Sequence, residues 1–296
     1  MKMVKKSNEL KLKVRSDVAF FDKKLRKVLL NYSKDAPSKL RSAMLYSLFS
    51  GGKRIRPLLL FASAEMCGLS RDDVILPAVA IELVHNYSLV HDDLPSMDDD
   101  IYRRGKLTVH KKFGEAIAVL VGDALIPLAF EILAKEFKHK SCLDTISLFA
   151  EYIGGQGLVA GQVLDMESEK LVKNDISENS KVRKILDEIH INKTAKLIEF
   201  SIVVSGLIKG LRRSKLQILH QIGRNVGLLF QITDDLIDFC NEQDKNKLTY
   251  PVLYGVEGTR FVIDRIYHST KKDIIENFNN TEYMLYLLKL IVERDK

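Results

Sequence analysis

The chain has 296 residues, 46% of them hydrophobic, with 46 Lys and Arg against 39 Asp and Glu for a net charge of +7. That length and apolar share support a large buried core and exclude a disordered chain or one that depends on disulfide staples. The three cysteines, Cys67, Cys142 and Cys240, are odd in number and too widely spaced for a disulfide framework or a CxxC site, which fits a reducing compartment.

At the N-terminus Lys2, Lys5, Lys6, Lys11, Lys13 and Arg15 face Glu9 alone, so the rest of the chain is nearly neutral. Residues 1–15 read as a flexible basic leader, followed by a single domain over 16–296. Cations confined to a leader, rather than spread over a face, argue against a nucleic-acid partner. The leader lacks a secretory apolar stretch, and Asp123 interrupts the run nearest to a membrane span, so the expectation is a cytoplasmic chain without stable membrane insertion.

From Val18 onward the apolar period is helical: Val18, Phe21, Leu25, Val28 and Leu29 share one face, followed by Leu40, Met44 and Leu48 behind a Ser38 N-cap. Pro57 and Pro77 each open an apolar segment, as proline does in a first helical turn, and these helices run to about 67 and 91. Further helical patterns cover 115–137, with a kink expected at Pro127, then 142–167, 181–209 and 214–239. The polar stretch 168–180 reads as a surface loop. Several of these helices are apolar over more than half their circumference and must be surrounded by others, which predicts an all-α chain in one large bundle.

Two acidic clusters stand out. His91-Asp-Asp-Leu-Pro-Ser-Met-Asp-Asp-Asp100 places five aspartates directly after an apolar helix, at the end where the dipole prefers cations. Pro95 pushes Leu94 out of the α region, so the helix stops near Asp93 and Asp98 can return beside Asp92. In the second cluster, Phe230-Gln-Ile-Thr-Asp-Asp-Leu-Ile-Asp-Phe239, Asp234 and Asp238 are i, i+4, with Gln231 on the same face. Such carboxylates suit Mg²⁺, which takes oxygen ligands, keeps waters and is completed by substrate phosphates. One such motif is commonly just a solvated face; two in one helical chain are harder to dismiss.

Cations accompany the aspartates. Ser50-Gly-Gly-Lys-Arg-Ile-Arg-Pro57 sets Lys53, Arg54 and Arg56 on a glycine-rich turn before a helix N-terminus, a natural place for a phosphate. Arg103 and Arg104 follow the first acidic cluster, and His85 lies two turns before Asp92 on the same face, as a phosphate donor or a satisfied core histidine. Together these residues describe two anion sites, one through metal ions and one through Lys53, Arg56 and Arg104 directly. Two phosphorylated substrates are expected, with the apolar helices lining a hydrocarbon cavity.

The chain resembles the trans-isoprenyl diphosphate synthases, in particular bacterial farnesyl diphosphate synthases. The resemblance runs from about Lys39 to Leu253, with a weaker echo in Ile291-Val-Glu-Arg-Asp-Lys296. It rests on Gly51 to Pro57, His91 to Asp98, Arg103-Arg-Gly105, Gly122-Asp-Ala124, Gly155-Gln-Gly157, Lys193-Thr194 and Gln231 to Asp238, all in family order. The resemblance implies the isoprenoid synthase fold: a single large bundle of antiparallel helices around a central apolar cavity, in a homodimer. It implies that Asp92, Asp93, Asp98, Asp234 and Asp238 hold two or three Mg²⁺ ions on an allylic diphosphate, dimethylallyl or geranyl, which Arg103, Lys193, Thr194, Gln231 and Lys247 also bind. Gly52, Lys53, Arg56, His85 and Arg104 correspond to the isopentenyl diphosphate site. Metal coordination drives ionisation of the allylic C–O bond, isopentenyl diphosphate attacks the cation, and the departed diphosphate takes the proton.

Chain length is a matter of cavity volume in this family, set by side chains before the first aspartate motif. Tyr87 and Ser88 stand five and four residues before Asp92, and the Tyr87 ring is expected to stop growth at fifteen carbons. Two departures from the family pattern are visible: the loop after Asp238 is short, leaving Lys247 or Lys245 for the family lysine, and Leu107 replaces a proline. A geranylgeranyl or geranyl diphosphate synthase has the same motifs. A terpene cyclase needs no second anion site, and a regulatory subunit typically loses aspartates that this chain keeps.

Overall fold

A computed structural model describes residues 2–172, 180–241 and 248–294. These are helical almost throughout; the sole sheet among them is a hairpin of β1 (Tyr102–Arg103) and β2 (Lys106–Leu107), with Tyr102 opposite Leu107. Two compact units emerge, one from residues 1–58 and 71–142, the other from 59–70 and 143–296.

The first unit holds α1 (Lys2–Tyr32), α2 (Ser38–Phe49), the start of α3 (Ile55–Met66), α4 (Ile75–Asp92), the hairpin, α5 (Val109–Phe113) and α6 (Glu115–Glu136). Its centre is α4 packed on α6. Ala78, Val79, Ala80, Ile81 and Val84 on α4 are inaccessible to solvent, as are Val121, Leu125, Ala129, Ile132 and Leu133 on α6, whose three- and four-residue spacing makes one stripe. Each large side chain buried this way contributes about 1.5–3 kcal/mol. By length and composition α6 could cross a membrane, yet much of its apolar surface belongs to this core. It continues through Pro127 as one helix.

Glu82 sits in the middle of α4 at 3% exposure and requires a counter-charge. Arg54 supplies it at 2.7 Å, reaches Asp22 on α1 at 2.9 Å and donates to the Leu48 carbonyl of α2 at 2.6 Å. One guanidinium thereby fastens α1, α2 and α4 to the turn that opens α3.

The second unit contains the rest of α3, then α7 (Cys142–Ile153), α8 (Leu158–Val172), α9 (Ser180–Ile189), a π-helical segment (His190–Ala195), α10 (Lys196–Lys209), α11 (Arg213–Cys240), α12 (Tyr250–Asn277), bent at Gly255, and α13 (Glu282–Val292). Here α10 and α11 form the core, with Leu197, Phe200, Val203 and Val204 against a stripe of Leu219, Ile222, Val226 and Leu229. Missing side chains set the spacing around the π segment. A Cβ on Gly161 of α8 would fall 2.1 Å from the Lys193 nitrogen, and one on Gly227 of α11 would fall 2.4 Å from the Ala195 Cα. Only glycine permits those approaches, and they bring residues 193–195 within reach of both helices.

Several expectations change. Residues 2–15, expected as a separate leader, are the first turns of α1, because Leu10 and Val14 continue the apolar spacing of Val18 and Phe21 without a break. Ser38 is the first helical residue of α2 and not its cap, a position held by Pro37. The 142–167 pattern is two helices, parted at Gly154-Gly-Gln-Gly157, where three glycines remove helical preference. The expected loop at 168–180 begins later, since α8 extends to Val172.

Candidate active site

In the first unit α4 ends at Asp92, and the Asp98 N–H donates to the Asp92 carbonyl at 2.9 Å, so the loop does bring these two residues together. The five aspartates then divide by partner. Asp93 is buried and paired with Arg103 Nε at 2.6 Å; Arg103 also reaches Asp100 at 3.3 Å, and Asp99 accepts from Lys111 at 3.2 Å. Asp93, expected among the metal ligands, is in this structure the counter-charge of Arg103 on the hairpin. Burial pushes its carboxyl above the ordinary range while Arg103 pulls it back. Arg103, expected on a diphosphate, spends two of its five N–H donors on these aspartates. Asp92 is half-buried and Asp98 exposed.

The cations gather in the same unit. Gly51 and Gly52 turn the chain with φ of 106° and 137°, which leaves Lys53 exposed. Arg104, itself at φ 55°, donates to the Gly51 carbonyl, and a Cβ on Gly52 would lie 2.8 Å from its guanidinium. Arg56 Nη1 lies 3.4 Å from His85 Nε2. Desolvation, then Arg56 and Arg104, hold His85 well below the ordinary imidazole range, so it is a neutral group among guanidinium ions. Gly52, Lys53, Arg56, His85 and Arg104 therefore form one cationic patch, whereas Arg54 is an anchor satisfied by Glu82 and Asp22.

Tyr87 is 7% exposed, and its ring meets His91 edge-on with centroids 5.7 Å apart. His91 in turn contacts the Val119 carbonyl of α6 at 3.1 Å. Burial, and next Asp92, push the Tyr87 hydroxyl up to about 12. The Ser88 hydroxyl donates back to the His85 carbonyl at 3.0 Å.

In the second unit, Thr194 Oγ1 donates to Gln231 Oε1 at 2.8 Å, and Lys193 Nζ meets Asp165 of α8 at 2.5 Å. Asp234 and Asp238 lie one turn apart on α11, both partly accessible. Burial raises the Asp234 carboxyl above its ordinary range, opposed by Arg294, which approaches to 2.7 Å. The Arg294 guanidinium also donates to the Phe230 carbonyl and covers the Phe230 ring at 3.9 Å. Asp235 points elsewhere, into the protein, at 6% exposure. Lys245 and Lys247 lie outside the described residues.

Sequence reasoning missed Asp165, Asp235, His190 and Arg294. A signal existed for Asp165, an acid one turn after the small residue Gly161; Arg294 lay in the terminal motif without an assigned role. Among the described residues no three His, Cys, Asp or Glu side chains converge to hold a metal ion unaided. Carboxylate pairs such as Asp92/Asp98 and Asp234/Asp238 are the donor set expected where water and a phosphate complete the coordination of a hard ion.

The polyprenyl synthetase family model matches residues 37–279. The farnesyl diphosphate synthase of Micrococcus luteus is 39% identical over 282 residues, covering 90% of this chain and 94% of its own. The chloroplastic geranylgeranyl pyrophosphate synthase 7 of Arabidopsis thaliana is 41% identical over 244 residues, or 78% of this chain and 69% of its own. A geranyltransferase from Legionella pneumophila superposes with a TM-score of 0.88 at 29% identity, over 98% of this chain and 99% of its own. With the same all-α fold as these synthases, and with both acidic motifs and the cationic patch in place, the chain belongs to the polyprenyl synthetase family and is a trans-prenyltransferase.

Proposed function

We propose that the protein is a farnesyl diphosphate synthase, condensing isopentenyl diphosphate 1′–4 with dimethylallyl and then geranyl diphosphate. The observation that carries this reading is the cationic patch around neutral His85: a second anion site, separate from the carboxylate pairs, is what a two-diphosphate condensation needs. The domain is taken as residues 16–296, with residues 2–15 prolonging its first helix. Asp92, Asp98, Asp234 and Asp238, with Asp93 once released from Arg103, would hold two or three Mg²⁺ ions, which when bound stabilise the departing diphosphate as the allylic C–O bond breaks.

The chain's own groups do the rest. Lys193, Thr194, Gln231, Arg103 and Lys247 orient the allylic diphosphate. Lys53, Arg56 and Arg104 fix the isopentenyl diphosphate, with His85 able to donate without adding charge. The double bond of that substrate attacks C1′, forming the new C–C bond, and the released diphosphate accepts the proton lost from C2. No side-chain base is required, and exclusion of water protects the cation.

Tyr87 supports fifteen carbons as the end point, since a buried ring just before Asp92 blocks further extension. The likeness to geranylgeranyl synthases favours a second reading, a twenty-carbon product. A cytoplasmic setting accords with the free thiols of Cys67, Cys142 and Cys240. Exposed Val119 and Leu120 on α6 offer an apolar face for a homodimer, checked by light scattering. The deciding experiment incubates the enzyme with Mg²⁺, labelled isopentenyl diphosphate and each allylic primer, then sizes the dephosphorylated products. A fifteen-carbon product supports the proposal; absence of elongation with every primer refutes it.

A further inference from the structure

We propose that His190 is a positioning residue for the allylic diphosphate: through Asp235 it fixes Gln231 and Thr194. The inference rests on the synthase reading above and adds a residue to that site.

Asp235 is the buried member of the second acidic motif, and both its oxygens are engaged. Oδ1 accepts from Gln231 Nε2 at 3.0 Å; Oδ2 accepts from the Tyr250 N–H at 3.3 Å and faces His190 Nε2 at 3.2 Å. The far end of the Gln231 amide accepts from Thr194 at 2.8 Å. The chain His190, Asp235, Gln231, Thr194 therefore starts and ends on the same π-helical segment, and spans two residues of α11 in between. His190 and Thr194 are four residues apart, as are Gln231 and Asp235, so two pairs on two helices close into a ring. Lys193 lies within this ring's sequence and turns to Asp165 on the opposite helix.

The ring removes a freedom the site does not tolerate. A glutamine amide can present oxygen or nitrogen, and with Asp235 accepting on one side and Thr194 donating on the other only one orientation satisfies both. His190 makes that orientation hold, because Nε2–H toward Oδ2 keeps Asp235 from turning. Its Nδ1 is buried without a hydrogen-bond partner, which leaves Nε2 as the atom that engages Asp235. The imidazole is stacked on the Tyr250 ring at 5.4 Å and 17°, and the Tyr250 hydroxyl is held by Asp187 at 2.5 Å. The same histidine thus also anchors the start of α12.

His190→Phe keeps the ring stacked on Tyr250 and removes the donor; His190→Gln restores a donor toward Asp235. Binding of inorganic diphosphate in the presence of Mg²⁺, measured by calorimetry, reads the site without turnover. His190→Phe should weaken that binding and raise KM for the allylic primer by about 10–100-fold, the usual effect of losing a group that orients a ligand. KM for isopentenyl diphosphate should stay within about threefold, and His190→Gln should recover most of the loss. Diphosphate binding by His190→Phe equal to wild type, or a His190→Gln variant as weak as His190→Phe, overturns the assignment. A wild type that binds diphosphate but elongates no primer refutes the synthase reading alone, and a His190→Phe defect in binding then still supports this one.

Discussion

Replacing Tyr87 by alanine tests the chain-length argument most directly. The ring is buried at 7% exposure and braced by His91, which is itself held against α6. Truncation opens space where the ring was. One more isoprene unit adds five carbons, and at about 0.8 kcal/mol per buried carbon its burial would supply about 4 kcal/mol of binding. That is close to the roughly 3–5 kcal/mol that deleting a buried aromatic ring costs the empty enzyme, so a longer product can fill what the mutation removes. The expected result is a shift from fifteen-carbon to twenty-carbon and longer products, with a lower melting temperature that product binding partly restores. Tyr87→Phe, which retains the ring, should leave the products unchanged. The assay is chromatography of labelled, dephosphorylated products from a single primer. A folded Tyr87→Ala enzyme with an unchanged product distribution would refute the reasoning.

Arg54→Ala should destabilise the fold by about 3–5 kcal/mol, because Glu82 is left buried without its cation, and a denaturant titration will show it. Asp92→Asn and Asp98→Asn should each lower kcat by about 100–1,000-fold, as expected when an electrostatic contact to the developing charge is lost, with a higher Mg²⁺ requirement in steady-state assays. His85→Gln should flatten the acid side of the stability curve. The native imidazole is held below its unfolded value, so the unfolded chain binds the extra proton first and wild-type stability falls as pH drops through about 6.5. Melting temperatures from pH 5 to 8 will show whether that slope disappears in the variant.

The apolar stripes of α4, α6 and α11 are readable from the sequence because burial repeats every three or four residues. The spacing of Asp234 with Asp238 is readable for the same geometric reason, and the return of Asp98 beside Asp92 from Pro95, which ends the helix. Direction is harder. Arg54 and Arg56 sit two residues apart in one motif, yet the first is consumed by Glu82 and the second lies beside His85, and residue type alone does not separate them. A hint was present in Glu82, a lone acid in an apolar helix that needs a cation from elsewhere. Asp93 and Asp235 were hidden similarly, each one position from a more accessible aspartate and itself turned inward. The π segment leaves no trace in periodicity, since 181–209 reads as one uninterrupted helix, and α12 is too polar to register as a core element.

The His190–Ala195 segment also says something about descent. A π turn is a helix that carries one residue more than its α-helical turns require, and one residue is worth about 100° of rotation. Deleting a residue such as Ile191 would return the chain to an unbroken α-helix with better hydrogen bonds, and would swing everything on one side of the deletion by that angle. Lys193 and Thr194 would then no longer face Asp165 and Gln231 while His190 faced Asp235. The most regular backbone and the working arrangement of these side chains are therefore alternatives at this turn. Variants selected only for thermal stability should tend to lose the extra residue, and with it the grip on diphosphate.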